Sequence, residues 1–298
     1  MSSNPAAKKI RYMMRFLPDK TYIQLNYFIR FKKLCNLKNP QTYNEKINWL
    51  KLYDRNPDYS KMVDKYEAKI YVSEIIGKEY IIPTLGIYNS FEEIDFEQLP
   101  NQFVLKCTHD SEGIVIVKNK RNLDIDFAKK KLTDSLEQNF YYIGREWPYK
   151  NVKPRIIVEQ YMTDHTDGEL RDYKFFCFSG EPKMMFIASD REKGKTKFDY
   201  YDLEFNHLNL KQKYPNSPTI QRKPATFDKM IELSKKLSEK IPHVRVDFYE
   251  VDGKLYFGEL TFYHFSGFMP FNPDSWDKVM GDWIQLPDDL SHIGARVY

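Results

Sequence analysis

The sequence predicts an α+β protein, helical in its first third and built mostly of antiparallel strands in its second half. Two observations carry this. Apolar residues recur at helical spacing up to Gly77, after which short runs rich in β-branched and aromatic residues take over. Two pairs of those runs are joined by Ser179-Gly180 and Asp252-Gly253, turn dipeptides that favour tight hairpins.

Each element has its own signal. Ile10, Met13, Met14 and Leu17 fall at i, i+3, i+4 and i+7 among Lys8, Lys9, Arg11 and Arg15, which predicts a basic amphipathic helix over 8–17, ended by Pro18. Such a helix suits either docking on its own domain or an anionic membrane surface. Residues 21–34 are apolar nearly all round, which predicts packing. Thr42-x-x-Glu45 is a capping-box signature for a helix over 43–54, and a further helix over 60–76 ends where Gly77 would cap it. Strands are expected at 80–83 and 103–107. Ser90-x-x-Glu93 opens a short helix between them, and Pro100 must end it. A helix at 126–139 leads into the loop Gly144-Arg145-Glu146-Trp147-Pro148-Tyr149. Further strands are expected at 155–162, 171–178, 183–189, 197–201, 244–251 and 254–262, with a helix at 226–240 crossing between them.

Composition narrows the function classes. The chain has 298 residues, room for one large domain or two small ones, and 22 Tyr, 21 Phe and 4 Trp can fill a sizeable core, which rules out intrinsic disorder. No apolar run approaches the ~20 residues that span a bilayer. Cys35, Cys107 and Cys177 are widely spaced and form neither a disulfide framework nor a metal-ligand pair. The expectation is a reduced, cytoplasmic protein without a secretory leader. Residues 1–38 carry nine basic residues against one acid, a net +8 that leaves the remainder at −4. The body is therefore no polyanion binder, and no nucleic-acid motif is present.

The strongest chemical signal is the hairpin of 244–251 and 254–262. Side chains alternate along a strand, so Arg245 and Asp247 share one face, as do Glu259 and Thr261. Pairing through the Asp252-Gly253 turn can bring Asp247 to Glu259. Two such carboxylates suit a Mg²⁺ ion bridging to phosphates; the same spacing suits a structural salt bridge with Arg245. Asp110-Ser111-Glu112-Gly113 follows directly on the strand carrying Lys106, and a small-residue turn lets backbone N–H groups approach a phosphate. His109 stands in that turn as a ligand, a base or a solvent-facing residue. Lys65 and Lys174, each flanked by apolar residues, either snorkel outward or meet a buried anion.

The order of these parts resembles an ATP-grasp enzyme, and more closely the teichuronopeptide-biosynthesis (TupA-like) branch of ATP-grasp amidoligases. The motifs that carry it are Val63-Asp64-Lys65-Tyr66, Phe103-Val104-Leu105-Lys106-Cys107-Thr108-His109-Asp110, Gly144-Arg145-Glu146-Trp147-Pro148-Tyr149-Lys150-Asn151, Asp172-Tyr173-Lys174-Phe175-Phe176 and Gly258-Glu259-Leu260-Thr261-Phe262-Tyr263. The resemblance implies an ATP-grasp fold with a helical N-terminal region over 1–60, a reduced preceding segment over 61–102, a lid subdomain over 103–165 and a C-terminal subdomain over 166–298 that carries the metal site. It also implies ATP and Mg²⁺ as cofactors. Lys65 and Lys106 would contact phosphates, Ser111 and Gly113 would lie in the flexible loop, Glu159, Tyr161 and Met162 would hold adenine, and Asp172 the ribose. Asp247, Glu259 and Thr261 would hold the metal, with Arg245 near the transferred phosphoryl group and Lys174 as a second catalytic residue. His109, Arg145, Trp147 and Ser266 are the expected substrate contacts.

Two positions depart from the family's pattern. Glu112-Gly113 stands where relatives often have two glycines, and Thr261 where the wider superfamily usually has Asn. The implied reaction joins an amine, as an amino acid or small amino alcohol, to a carboxylate on a surface-polysaccharide sugar or its precursor. It would run through an acyl phosphate at the inner membrane face. A phosphotransferase would use the same ATP site. A glycosyltransferase would need a nucleotide-sugar motif that the sequence lacks.

Overall fold

The computed structural model describes residues 12–165, 169–191 and 194–287. Two antiparallel sheets organise the chain. The first has the order β1-β4-β2-β3, from Thr84–Tyr88 (β1), Phe103–Cys107 (β2), Ile114–Val117 (β3) and Ile156–Gln160 (β4). The second has the order β7-β6-β5-β8-β9, from Asp172–Phe178 (β5), Glu181–Ser189 (β6), Lys197–Tyr201 (β7), Val244–Val251 (β8) and Lys254–Thr261 (β9). Thr84–Tyr88 comes from the segment expected to precede the lid, yet it pairs with β4 and is an edge of the first sheet. The two hairpin dipeptides act as their sequences require. Ser179 and Gly180 have φ of 49° and 89°, and Asp252 and Gly253 have φ of 50° and 75°, the doubly left-handed turn that matches strand twist.

Helices precede and flank the sheets: α1 (Asp19–Phe31), α2 (Tyr43–Tyr53), α3 (Tyr59–Val63), α4 (Glu67–Ile76), α5 (Ile125–Leu136), α6 (Tyr141–Gly144), α7 (Phe227–Ser238) and α8 (Ser275–Trp283). The expected basic helix lies mostly outside the described residues; from Met14 to Phe16 the chain makes a 3₁₀ turn, and Pro18 then opens α1. Both halves of the capping box at Thr42 and Glu45 are made. The single helix expected over 60–76 is broken. The Asp64 carboxylate accepts from the N–H groups of Tyr66 and Glu67, and the Lys65 N–H donates to the Thr108 carbonyl at the end of β2. A local side-chain cap and a long-range bond thus displace the helical bonds of that turn.

The expectation that 21–34 is packed throughout also fails. Ile23 and Tyr27 are buried against Leu37, Leu52 and Phe268, and Tyr22 is buried under Arg145, whereas Leu25, Phe28 and Ile29 are exposed. The residues 80–83 form no strand of their own; Ile81 makes one parallel bridge to Phe257. The main core is aromatic. Phe175, Phe176, Phe186, Tyr200, Phe227 and Phe248 pack the second sheet against α7 and the helical region. A separate core under the first sheet joins Phe103, Leu105, Ile156 and Val158 to Ala128 and Leu132 of α5.

Candidate functional site

The site is built by register. Asp247 on β8 stands directly opposite Glu259 on β9, and Lys174 on β5 opposite Asp247, so the three form one cross-strand row. Arg245 faces Thr261 one step along. The pairing slips between Asp247 and Phe248, which leaves Gly258 as the extra residue of a bulge. A Cβ at Gly258 would meet the Asp247 carbonyl oxygen and the Tyr249 ring, each at 3.1 Å, so glycine lets the bulge close and aim Glu259.

Arg245 is the hub. It donates to both Asp247 carboxylate oxygens, each at 2.7 Å, to Glu259 Oε1 at 3.1 Å and to Thr261 Oγ1 at 3.0 Å. Its remaining nitrogen lies 2.6 Å from Nδ1 of His264. A guanidinium can only donate, so this imidazole is neutral with Nδ1 accepting, and its Nε2–H donates to Gln212 Oε1 at 2.8 Å. Burial, reinforced by Arg245, holds His264 well below the ordinary histidine range. Lys174 pairs with Asp247 and, at 3.2 Å, with Asp172, which Arg191 also holds. Burial raises Asp247 despite Arg245 and Lys174. For Glu259 burial also pulls upward, but Lys174, Arg245 and Lys65 outweigh it and hold the carboxyl at about 2.

One cavity meets this row, and a second shares Arg191 with it. A polar one of about 520 Å³ is lined by Ser111, Glu112, Glu146, Lys174, Arg191, Lys213, Arg245, Glu259, Thr261, His264 and Ser266, with Phe140, Tyr149, Phe186, Phe198, Tyr214 and Phe265 supplying aromatic wall. A narrower slot of about 310 Å³ is mostly apolar. Ile82, Val104, Ile114, Ile116, Tyr161, Met162, Leu170 and Tyr249 line it beside Lys106, Glu159, Gln160 and Arg191. Arg191 belongs to both. In the slot, Glu159 is gripped by Lys69 and by Lys106 at 2.5 Å, and Lys69 also donates to the Ile82 carbonyl and Thr84 Oγ1. Burial alone would raise Glu159; the two lysines hold it at about 2. Lys69 itself is pulled below its ordinary range, because its burial outweighs the pairing.

The residues singled out in the sequence separate into three groups. Lys106, Glu159, Tyr161 and Met162 line the slot. Ser111, Lys174, Arg245, Glu259, Thr261 and Ser266 line the polar cavity, and Asp172 and Asp247 lie buried beneath it, ion-paired to its lysine and arginines. The rest line neither cavity. Lys65 donates to the Asp110 carbonyl. Gly113 approaches Cys107 and Ser135 so closely that a Cβ would sit 2.5 Å from Ser135 Oγ; Ser111 and Glu112 are the loop residues that face the cavity. His109 is buried, with Nε2 3.1 Å from the carbonyls of Ser135 and Gln138. Arg145 donates to the carbonyls of Met14 and Leu17 and lies over the Tyr22 ring, and Trp147 donates to the Asp54 carbonyl. Sequence reasoning missed His264, Glu146, Arg191, Lys213 and Lys69. His264, three residues beyond Thr261 and next after the motif that ends at Tyr263, was the one within reach.

The donor set fits a hard dication. Two carboxylates and a hydroxyl project from adjacent strands, with Glu259 Oε1 and Thr261 Oγ1 3.1 Å apart at the cavity wall. Asp247 is enclosed by Arg245 and Lys174, whereas Glu259 is the carboxylate open to the cavity. No cluster of three or more His, Cys, Asp or Glu residues suited to a metal occurs among the described residues.

Solved structures similar to the chain include the D-alanine–D-alanine ligase of Bacillus anthracis complexed with ATP, at 12% identity and a TM-score of 0.42 over 88% of this chain and 82% of that one. The N5-carboxyaminoimidazole synthase of Aspergillus clavatus matches at 15% identity and 0.39, over 69% and 46%. The ATP-grasp ligase PsnB matches at 8% and 0.39, over 74% and 57%. The chain thus spans about half the length of the last two, and 56% of a second structure of the Bacillus ligase. No curated protein matches it. The family model described as TupA-like ATPgrasp matches residues 45–285, which include the lysine strand, the loop, the slot and the whole Arg245–Glu259 row. The chain belongs to the TupA-like ATP-grasp family.

Proposed function

We propose that this protein is an ATP-dependent carboxylate–amine ligase that works through an acyl phosphate. What supports the reading most is the pairing of the two cavities: an apolar slot beside Lys106 shares Arg191 with a polar cavity lined by Lys174, Arg245 and Glu259. That is the layout needed to bury a flat heterocycle at one end and manage phosphate charge at the other. Adenine stacks in the slot near Ile116, Tyr161 and Met162. Lys106, fixed by Glu159, meets the phosphates, and Arg191, Lys174 and Arg245 face the transferred group. A Mg²⁺ ion held by Asp247, Glu259 and Thr261 would neutralise charge on the triphosphate.

The substrate carboxylate oxygen attacks the γ-phosphorus, and the bond to the bridging oxygen of ADP breaks. The amine then attacks the acyl carbon, phosphate leaves, and one proton is lost to give the amide. Arg245 carries two tasks. It offsets phosphoryl charge in the first step and the tetrahedral oxyanion in the second, and neutral His264 holds its orientation. The aromatic wall suits sugar faces, and Lys213 suits a uronic carboxylate; the proposed acceptor is a sugar acid of a surface polysaccharide or its precursor. The proposed donor is an amino acid or small amine, and the setting is the inner face of the membrane. Ser266 is the proposed polar contact to substrate.

Incubation with ATP, Mg²⁺, hydroxylamine and a panel of uronic acids tests this by mass spectrometry. The proposal expects ADP together with a hydroxamate. ADP together with a sugar phosphate that survives hydroxylamine would make the same residues those of a kinase.

A further inference from the structure

Helix α1 carries two apolar faces, and only one of them is used. Tyr22, Ile23 and Tyr27 are buried in the fold. Leu25, Phe28 and Ile29, at i, i+3 and i+4, point the other way, with Phe28 and Ile29 half exposed at 50% and 52%. Phe16 before the helix is 80% exposed, and Met13 and Leu34 stand out as well. Of the fifteen large apolar side chains exposed among the described residues, seven lie within 12–34. That concentration marks an interaction surface rather than the scattered exposure of ordinary proteins.

Charge decides the partner. Lys20, Arg30, Lys32 and Lys33 are exposed along the same stretch, and none has a carboxylate within ion-pair distance among the described residues. The single acid of the stretch, Asp19, is consumed internally by Arg55, Arg145 and Tyr141. Apolar side chains rimmed by unneutralised lysine and arginine complement a surface that offers acyl chains beneath anionic headgroups. No described helix is long and apolar enough to cross a membrane. We infer that the outer face of α1, with Phe16 and Leu34, docks the protein peripherally on an anionic lipid bilayer. The contact is therefore placed on α1, which the sequence had assigned to the interior, and it stands whether or not the ligase reading holds.

Flotation of the full chain with vesicles of phosphatidylglycerol and phosphatidylcholine in equal parts, against phosphatidylcholine alone, tests it. Retention should be roughly tenfold greater on the anionic vesicles and should fall at high salt. Phe28→Glu with Ile29→Glu should abolish it. Lys20→Glu with Lys32→Glu and Lys33→Glu, which leaves the apolar residues in place, should do the same, while Ile220→Glu on a distant exposed residue should not. Equal retention on both vesicle types, or full retention by the folded charge variant, overturns the inference. So does sedimentation showing a lipid-free dimer that Phe28→Glu with Ile29→Glu dissociates, which would assign the face to a second copy.

Discussion

Glu159 and Glu259 are two glutamates held at about 2 by flanking cations, one in each sheet. Their exposure separates them. The Glu159 side chain is 5% exposed and both its cations close around it. The Glu259 side chain is 45% exposed, and the cavity wall opens beside it. The same acid between the same kinds of base is therefore an enclosed clamp in one place and open to the cavity in the other. Both stand beside a slip in strand pairing, between Thr84 and Gly86 for Glu159 and at Gly258 for Glu259, so what differs is position: β4 carries Glu159 between β1 and β2, whereas Glu259 lies on the edge strand β9 beside the cavity.

The largest effect should come from breaking the clamp. Glu159→Ala leaves Lys69 and Lys106 facing each other with no counter-charge, and loss of one partner of a buried pair costs about 3–5 kcal/mol. Chemical denaturation should show that loss, and the variant should bind ATP poorly because Lys106 is no longer aimed. At the open glutamate the balance reverses. Glu259→Gln should keep the wild-type unfolding midpoint while ADP formation falls on the order of 10²–10³-fold. A Glu259→Gln variant as unstable as Glu159→Ala would erase the distinction.

Acid titration sharpens it. A glutamate depressed from the ordinary 4.5 to about 2 adds stability that is complete above pH 4.5 and is lost as pH falls toward 2. For enclosed Glu159 this amounts to about 3 kcal/mol. Water screens Glu259, so its share is smaller. Glu159→Gln should therefore flatten the pH 4.5-to-2 slope of the unfolding free energy more than Glu259→Gln does. Buried His243, drawn down to about 3, adds a separate loss that begins as pH drops below 6.5.

The smallest effect expected is at the bulge. Gly258→Ala presses on the Asp247 carbonyl and the Tyr249 ring, tilting Glu259 without removing it. Turnover should fall about tenfold, short of the 10²-fold that a 1 Å misplacement can cost. Stability should change by only about 1 kcal/mol.

What the sequence revealed follows from how local each signal is. The hairpin, its register and the row Arg245, Asp247, Glu259 and Thr261 were legible because alternation and a two-residue turn fix them within eighteen residues. The capping box at Thr42 was legible for the same reason. The break at 64–66 was not, since it depends on a bond from Lys65 to Thr108, 43 residues on. Glu159 reads from the sequence as part of the adenine segment, but its grip by Lys69 is not legible there, because it joins a helix to a strand ninety residues later. His264 was passed over for His109 because only the fold shows which imidazole meets Arg245. The exposed face of α1 was unreadable in principle: the sequence shows that a residue is apolar, not whether a neighbour arrives to cover it.

The most direct test of the central claim is calorimetry of ATP binding with and without Mg²⁺, for the wild type and for Glu259→Gln. If Glu259 is the open metal ligand and the slot is separate, the wild type binds ATP more tightly with Mg²⁺. Glu259→Gln then keeps its metal-free affinity and loses the gain. A Glu259→Gln variant that keeps the full Mg²⁺ enhancement, or a wild type that binds no ATP, would contradict the account.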